Sequence, residues 1–378
     1  MVQPYGLSLL SQYPEWLAVL LMVGGLSMVL TGVLYLGAKR LKLLPQVRGR
    51  DVHTERKPRV GGVAILLTMF IAVIAFATAS PEKLRFGGEV IWGIDRSLLG
   101  ILLGMGVLLL FGLWDDVSSL KPSTQLLGQF LAATAVIWGG VQAEYINLPF
   151  GDATIYLNKG MWLLPEWLGG GVIWPWAALF SYVWIILMIN VMNFFDGLDG
   201  LAGSVGATGA AILFFVCLRL GLVAPATLAL ILGAAVIGFL PWNWYPSKLF
   251  MGTVGSQLLG FMLGVVAIIS GAKVATAVLV LGIPLLDAVV VIVRRLAAGK
   301  SPFQADQRHL HHRLLKIGLS TPKVVMVITG CSLVLGLISL RTQNAEGKGL
   351  LTILLVVAMV VFIAVTYALE QRASRRVH

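Results

Sequence analysis

Charge is the first thing this chain lacks. Asp, Glu, Lys and Arg make up 12% of its 378 residues, where a soluble domain carries about 25%. With 58% of the residues hydrophobic, too little polar surface remains to cover a water-soluble body. Acidic residues are the scarcer sign: 17 stand against 28 lysines and arginines, a formal net charge of +11. On a soluble protein such an excess suggests nucleic acid. In a chain this apolar it reads as loop charge beside anionic lipid, and no nucleic-acid partner is expected. Cysteine is nearly absent. Cys217 and Cys331 both fall in apolar runs and read as small core hydrophobes, which excludes a disulfide framework. No GxxxxGK[ST] run occurs, so a nucleoside triphosphatase engine is not expected. Internal repeats and low-complexity stretches are also missing, and residues 1–378 read as one domain. The first apolar run, near Trp16–Leu36, has no basic segment ahead of it. It reads as a spanning helix rather than a cleavable signal peptide.

Long hydrophobic runs are what the chain has in abundance. A span needs about 20 apolar residues. Eleven segments qualify, at roughly 16–37, 60–79, 98–114, 125–142, 172–190, 200–220, 224–241, 254–271, 274–293, 323–340 and 349–369. The expected fold is an all-α integral membrane protein with about eleven transmembrane helices. Basic residues crowd the stretches 39–59, 294–323 and 372–376. The positive-inside rule then sets the N-terminus outside and the C-terminus in the cytoplasm. The longest outer loop, 143–171, contains INLPFGDATIYLNKG, in which a short β-hairpin is expected.

Sorted by side, the polar residues form five clusters at cytoplasmic helix ends. The loop RGRDVHTERKPRVGG, 48–62, gathers Arg48, Arg50, His53, Arg56, Lys57 and Arg59 and closes on Gly61-Gly62. Basic side chains beside a glycine pair suit an anionic ligand, because backbone N–H groups approach it closely. The same charges also serve as a positive-inside anchor. Asp115 and Asp116 close the third run, shortly before Lys121 and Pro122. Adjacent carboxylates at a membrane edge are costly to desolvate. A divalent cation or a shared proton offsets that cost; the plainer reading is a solvated loop pair. In NVMNFFDGLDGLAG, 190–203, Asn190 and Asn193 are three apart, as are Asp196 and Asp199. Each pair shares a face if the segment is helical. Amides and carboxylates together make an oxygen-donor set suited to Mg2+. NWYPSKLFMGTVGSQ, 243–257, sets Asn243 and Phe250 ahead of a Gly-Thr-Val-Gly-Ser turn. That turn opens a helix whose N-terminus either binds phosphate or is simply capped. SPFQADQRHLHHRL, 301–314, holds His309, His311 and His312 with Asp306, Arg308 and Arg313. Three histidines raise zinc, but the arginines beside them favour an anionic substrate; a solvated loop is the third reading. Mg2+, a polyanionic ligand and a lipid-facing site together suit phosphoryl transfer.

These motifs resemble the polyprenyl-phosphate N-acetylhexosamine-1-phosphate transferase superfamily, and within it the undecaprenyl-phosphate GlcNAc-1-phosphate transferase group. The resemblance runs from about Arg48 to Leu319. It rests on HTERKPRVGG, GLWDDVSSLKPSTQLLGQ, the Asn190–Ala202 segment, FMGTVGSQLLGF, PLLDAVVVIVRR and the His-x-His-His loop, in the family's order. It implies an enzyme of the bacterial inner membrane, facing the cytoplasm, that performs the first membrane step of a cell-envelope glycan. A UDP-N-acetylhexosamine and a polyprenyl phosphate would be the substrates and UMP the leaving product. It implies Mg2+, or Mn2+, held by Asp115, Asp116 and Asp196. Asp115, Asp116, Asp196, His309, His311 and His312 would be catalytic. Lys57, Arg59, Lys121, Asn190, Asn193, Asp199, Asn243, Phe250, Arg308 and Arg313 would bind substrate, with Asn243 and Phe250 at the uracil. Relatives acting on UDP-MurNAc-pentapeptide carry three consecutive histidines; Leu310 interrupts the run here, which favours the GlcNAc branch. A glycine-rich membrane helix can also support a homodimer.

The chain departs from that pattern twice. Thr253 stands where members commonly have an Asp that ligates metal, and Gln125 where many have a Lys. A Thr hydroxyl is neutral and a weaker Mg2+ ligand, which keeps a catalytically silent scaffold as one alternative. A transporter is another. It calls for midplane acids and repeated halves; Asp287 in the ninth run is the nearest candidate for such an acid, its alternative reading being an acid near the cytoplasmic third that lines the site.

Overall fold

The computed structural model describes residues 14–42, 57–147, 154–271, 274–297, 299, 309–342, 347, 349–358, 360–362 and 365. It is a helical bundle. α1 (Pro14–Arg40), α2 (Gly61–Ala79), α3 (Arg96–Ser118) and α4 (Pro122–Trp138) lead into α5 (Pro175–Phe195), α6 (Leu201–Arg219), α7 (Val223–Asn243) and α8 (Gly252–Ile269). α9 (Val274–Val280), α10 (Gly282–Ala297), α11 (Leu310–Lys316) and α12 (Thr321–Arg341) follow, then a short apolar helix over Gly349–Phe362. Apolar runs become helices because lipid offers no partner for a backbone N–H or C=O, so each segment must satisfy its own. Proline opens α4 and α5, where its missing N–H costs nothing. Asp95 caps α3 by accepting from the Ser97 N–H at 2.9 Å.

Among the described residues, eight helices are long and apolar enough to cross a membrane. The count becomes nine if α9 and α10, bent by 83° at their junction, form one broken span. The expectation of eleven is met in part. Of the 125–142 segment, residues 125–138 lie in α4, whose 17 residues fall short of the roughly 20 typical of a span. Of 349–369, residues 359, 363–364 and 366–369 lie outside the described residues. The expected hairpin in 143–171 is present: β3 (Tyr145–Asn147) pairs antiparallel with β4 (Thr154–Tyr156), with Ile146 opposite Ile155. Two smaller ladders accompany it, β1 (Val90–Ile91) with β2 (Ile94–Asp95) and β5 (Trp162–Leu163) with β6 (Val172–Ile173). Both cysteines are free, but only Cys217 is buried; Cys331 lies on an exposed face of α12 and is no core residue.

α8 is the axis of the bundle. It packs against α2, α3, α5, α6, α7 and α9, and its residues from Thr253 to Ile268 are all buried. Small residues make that possible, as in other membrane helix pairs. Gly62 of α2 meets Gly255 backbone to backbone, Gly112 of α3 meets Val254, and Gly104 meets Phe261. The outer helices turn large apolar side chains outward, among them Leu21, Met22 and Val29 of α1 and Leu110 of α3. A soluble monomer rarely exposes so much contiguous apolar surface.

The glycine contact sets a test. A β-carbon on Gly62 would overlap the Gly255 backbone, whereas one on Gly106 would meet nothing within 4 Å. Gly62→Ala should therefore cost about 1–3 kcal/mol in stability, read as a lower melting temperature in detergent. Gly106→Ala should be neutral or mildly stabilising. Equal melting temperatures for the two variants would refute the close-packing role.

Candidate active site

Two buried acids close α3. Asp115 and Asp116 sit in its last turn with 1% and 7% of their surface exposed. Their partners come from the start of α8. Gly252 has a φ of +76°, which glycine adopts without steric cost, and a β-carbon there would lie 2.7 Å from Asp116 Oδ2. Next to it, the Thr253 N–H donates to both Asp116 oxygens, at 3.0 and 3.1 Å. The Thr253 hydroxyl donates to Asp115 Oδ2 at 2.6 Å. A carboxylate so placed satisfies an orphan amide and meets the positive end of the helix dipole. Asp115 Oδ1 accepts from the Leu120 N–H and from Gln125 Nε2, both at 2.8 Å. One turn along α8, Ser256 donates to Asn193 Oδ1 at 2.9 Å, which brings the end of α5 to the same place.

The loops after α5 and α7 form the next wall. Asp199 accepts from the Ser247 hydroxyl at 2.8 Å and from the Ser247 N–H at 3.0 Å. Asn243 accepts from the Gly200 N–H at 3.0 Å and donates to the Leu249 carbonyl at 3.1 Å. Lys57 reaches in from the segment before α2. Its ammonium is 3.5 Å from the Ser247 hydroxyl and 5.6 Å from the centre of the Phe250 ring.

The histidines arrive from α11. Asp287, buried in α10, has Oδ2 2.8 Å from His309 Nδ1 and accepts from the Leu310 N–H at 2.8 Å. An acid on one ring nitrogen fixes how the imidazole points. The His311 ring stacks on His309 at 5.7 Å and meets Phe195 edge-on at 5.9 Å. It also presses on Gly197, where a β-carbon would collide with its Nε2. Both of its ring nitrogens are buried without a hydrogen-bond partner. Burial, and then the neighbouring His312 and His309, push its pKa well below 6.5. His311 is therefore a neutral imidazole at physiological pH.

All five sequence clusters thus meet at one end of the bundle. Gly62 bonds Met251, Asp116 bonds Thr253, Asn193 bonds Ser256, Asp199 bonds Ser247, and Gly197 abuts His311. Several residues serve differently from expectation. Gly61 and Gly62 do not cradle an anion, because their N–H groups donate to the Phe250 and Met251 carbonyls at 3.1 and 2.7 Å. The α8 N-terminus receives Asp116 in place of a phosphate. Asn190 exchanges hydrogen bonds with Gln129 of α4 at 2.6 and 3.3 Å, so its amide is spent inside the bundle. Asn243 and Asp199 brace one loop against the other. Lys121 is exposed at the head of α4. Asp196 is half-buried at the end of α5, and Arg59, Arg313 and His312 are half-buried. Arg308 lies outside the described residues, as do Arg48, Arg50, His53, Arg56 and Asp306.

Asp287, read from the sequence either as a midplane acid or as one lining the site, lies buried against His309; that partnership carried no signal in the sequence. Ser247 carried no signal at all. Among the described residues, no three His, Cys, Asp or Glu side chains converge as a ready metal cage. The adjacent carboxylates of Asp115 and Asp116 do fit Mg2+, which binds through one or two carboxylates and completes its shell with water and substrate phosphates.

Residues 98–271, from α3 to the end of α8, match the model of Glycosyl transferase family 4. The decaprenyl-phosphate N-acetylglucosaminephosphotransferase of Mycobacterium tuberculosis is 32% identical over 327 residues, covering 79% of this chain and 75% of that protein. The chain belongs to glycosyl transferase family 4. Two further relatives agree with it. A probable undecaprenyl-phosphate N-acetylglucosaminyl 1-phosphate transferase of Bacillus subtilis is 27% identical over 310 residues, 80% of this chain and 77% of its own. An undecaprenyl-phosphate alpha-N-acetylglucosaminyl 1-phosphate transferase of Thermotoga maritima is 27% identical over 350 residues, 92% and 97% of the two chains. In this family 4 transferase the matched stretch carries Asp115, Asp116 and Thr253, while Asp287 and the histidines follow it.

Two predictions follow from the histidine loop. Asp287→Ala should release His309 and lower transfer activity by about tenfold or more; full activity would remove Asp287 from the site. His311 sets a pH dependence. Its folded pKa lies below 6.5, so the unfolded chain takes up more protons as pH falls through that value. Stability is then full above about pH 6.5 and declines below it. Melting temperatures between about pH 7.5 and 5 should show that decline, and His311→Gln should flatten it. An unchanged slope would mean that another group is responsible.

Proposed function

We propose that this chain transfers N-acetylglucosamine 1-phosphate from UDP-GlcNAc to a polyprenyl phosphate, releasing UMP. One observation carries the reading beyond the names of the relatives: two buried acids, a neutral and a carboxylate-held histidine, and a lysine beside an aromatic ring share one end of an apolar bundle. That end is where a lipid phosphate and a cytosolic sugar nucleotide both have access. A phosphate oxygen of the lipid attacks the β-phosphorus of the donor. The bond from that phosphorus to the UMP oxygen breaks, and a polyprenyl-diphosphate sugar remains. The chain's own task is positioning and charge neutralisation, which dominate phosphoryl transfer. Asp115 and Asp116 would hold Mg2+ together with the substrate phosphates. Such an ion supplies charge neutralisation on the diphosphate.

On this reading, Lys57 and Phe250 face the nucleotide and the histidine loop faces the diphosphate. His311, being neutral, meets it by hydrogen bonding rather than by charge. The positive-inside rule, applied to the basic stretches 39–59 and 294–323, supports a site on the cytoplasmic face of a bacterial inner membrane with the N-terminus outside.

Purified full-length protein with Mg2+, polyprenyl phosphate and UDP-GlcNAc should release UMP. Asp116→Asn should cost about a hundredfold or more in kcat. Failure of the wild type to turn over UDP-GlcNAc, UDP-GalNAc and UDP-MurNAc-pentapeptide alike would sink the enzyme reading. Turnover of the pentapeptide substrate alone would move the chain to the peptidoglycan branch.

A further inference from the structure

Gln125 and Thr253 are the two positions at which the chain departs from the pattern it resembles. They are far apart in sequence, on α4 and α8. The fold brings them to opposite oxygens of one carboxylate. Gln125 Nε2 donates to Asp115 Oδ1 at 2.8 Å, and the Thr253 hydroxyl donates to Asp115 Oδ2 at 2.6 Å. The Leu120 N–H adds a third bond to Oδ1 at 2.8 Å. All three donors are neutral. A carboxylate offers about four lone-pair sites, so most of Asp115's acceptor capacity goes to holding it in place.

The charge consequences of altering either position alone are unequal. An acid at 253 would set a third carboxylate against Asp115 and Asp116, since Thr253 already touches both. Like charges this close oppose ionisation of one another. A cation at 125 would sit on Asp115 and relieve that repulsion. Alone, a cation there would offset one acid of a site that needs both for an anionic substrate's metal.

We propose that Gln125 and Thr253 are a coupled pair of positioning residues, a neutral clamp that fixes the Asp115 carboxylate by both oxygens while leaving the acidity of the site to Asp115 and Asp116. The two departures are one compensated change, and the site is rebuilt rather than silenced. The proposal rests on the transfer reaction proposed above.

The test is a double-mutant cycle on the purified full-length protein. UMP release gives kcat and the KM for UDP-GlcNAc, and thermal melting in EDTA reports on the clamp without metal. Thr253→Val, which keeps the shape and loses the hydroxyl, should lower kcat by about tenfold or more with KM changed by less than about threefold. Thr253→Ser should recover most of that loss. Thr253→Asp should lower both kcat and the EDTA melting temperature, and adding Gln125→Lys should restore most of each. The clamp is overturned if Thr253→Val behaves as wild type, or if the losses of Thr253→Asp and Gln125→Lys simply multiply in the double variant. Should Thr253→Val fail to fold, the Asp and Lys cycle decides alone. A wild type inactive on every donor would overturn the reaction, while the EDTA melting cycle would still judge the clamp.

Discussion

A single helix terminus holds this protein's chemistry to its fold. The first turn of α8 offers an amide and a hydroxyl from Thr253, and the two acids of α3 accept them. Without those donors, two buried carboxylates would each cost several kcal/mol to desolvate. Without the carboxylates, the head of the most deeply buried helix would leave an amide unpaired. α8 is buried because glycines let its neighbours close on its backbone. The packing that shelters the acids and the Thr253 bonds that hold them therefore come from one element.

The same solution appears a second time. Asp287 of α10 accepts the first N–H of α11 and, with its other oxygen, meets His309. In both places an acid on one helix closes the open end of the next and orients a chemical group beside it. The loops between are braced by side chain to backbone bonds at Asn243, Asp199 and Ser247. A framework of this kind suits phosphoryl transfer, in which little is asked of the protein beyond accurate placement.

The helical class and the motif-bearing ends were readable from the chain because they follow from composition and period. Runs of apolar residues long enough to span must be helical in lipid, and charged residues stay at their ends. What each polar residue does there was less readable. Asn190 and Asn193 share a face, yet one pairs with Gln129 and the other with Ser256, and local spacing cannot choose between such partners. Gly61-Gly62 looked like an anion cradle because a glycine pair permits close approach. The approach is real, but it is made by another helix. Asp287 read either as a midplane acid or as one lining the site, and its partner His309 lies 22 residues further along the chain, where local spacing does not point to it. Ser247 had nothing to mark it, because its value lies in meeting Asp199 across two loops.

The bond between Asp116 and Thr253 also orders events in time. The acid is synthesised 137 residues before the amide that receives it. While the early helices are already inserting, α3 must wait at the membrane edge with two charged residues still hydrated. Only the arrival of α8 draws them under cover. Assembly of the reactive end is thus deferred until most of the bundle has been made, and a half-built chain displays acids but no site.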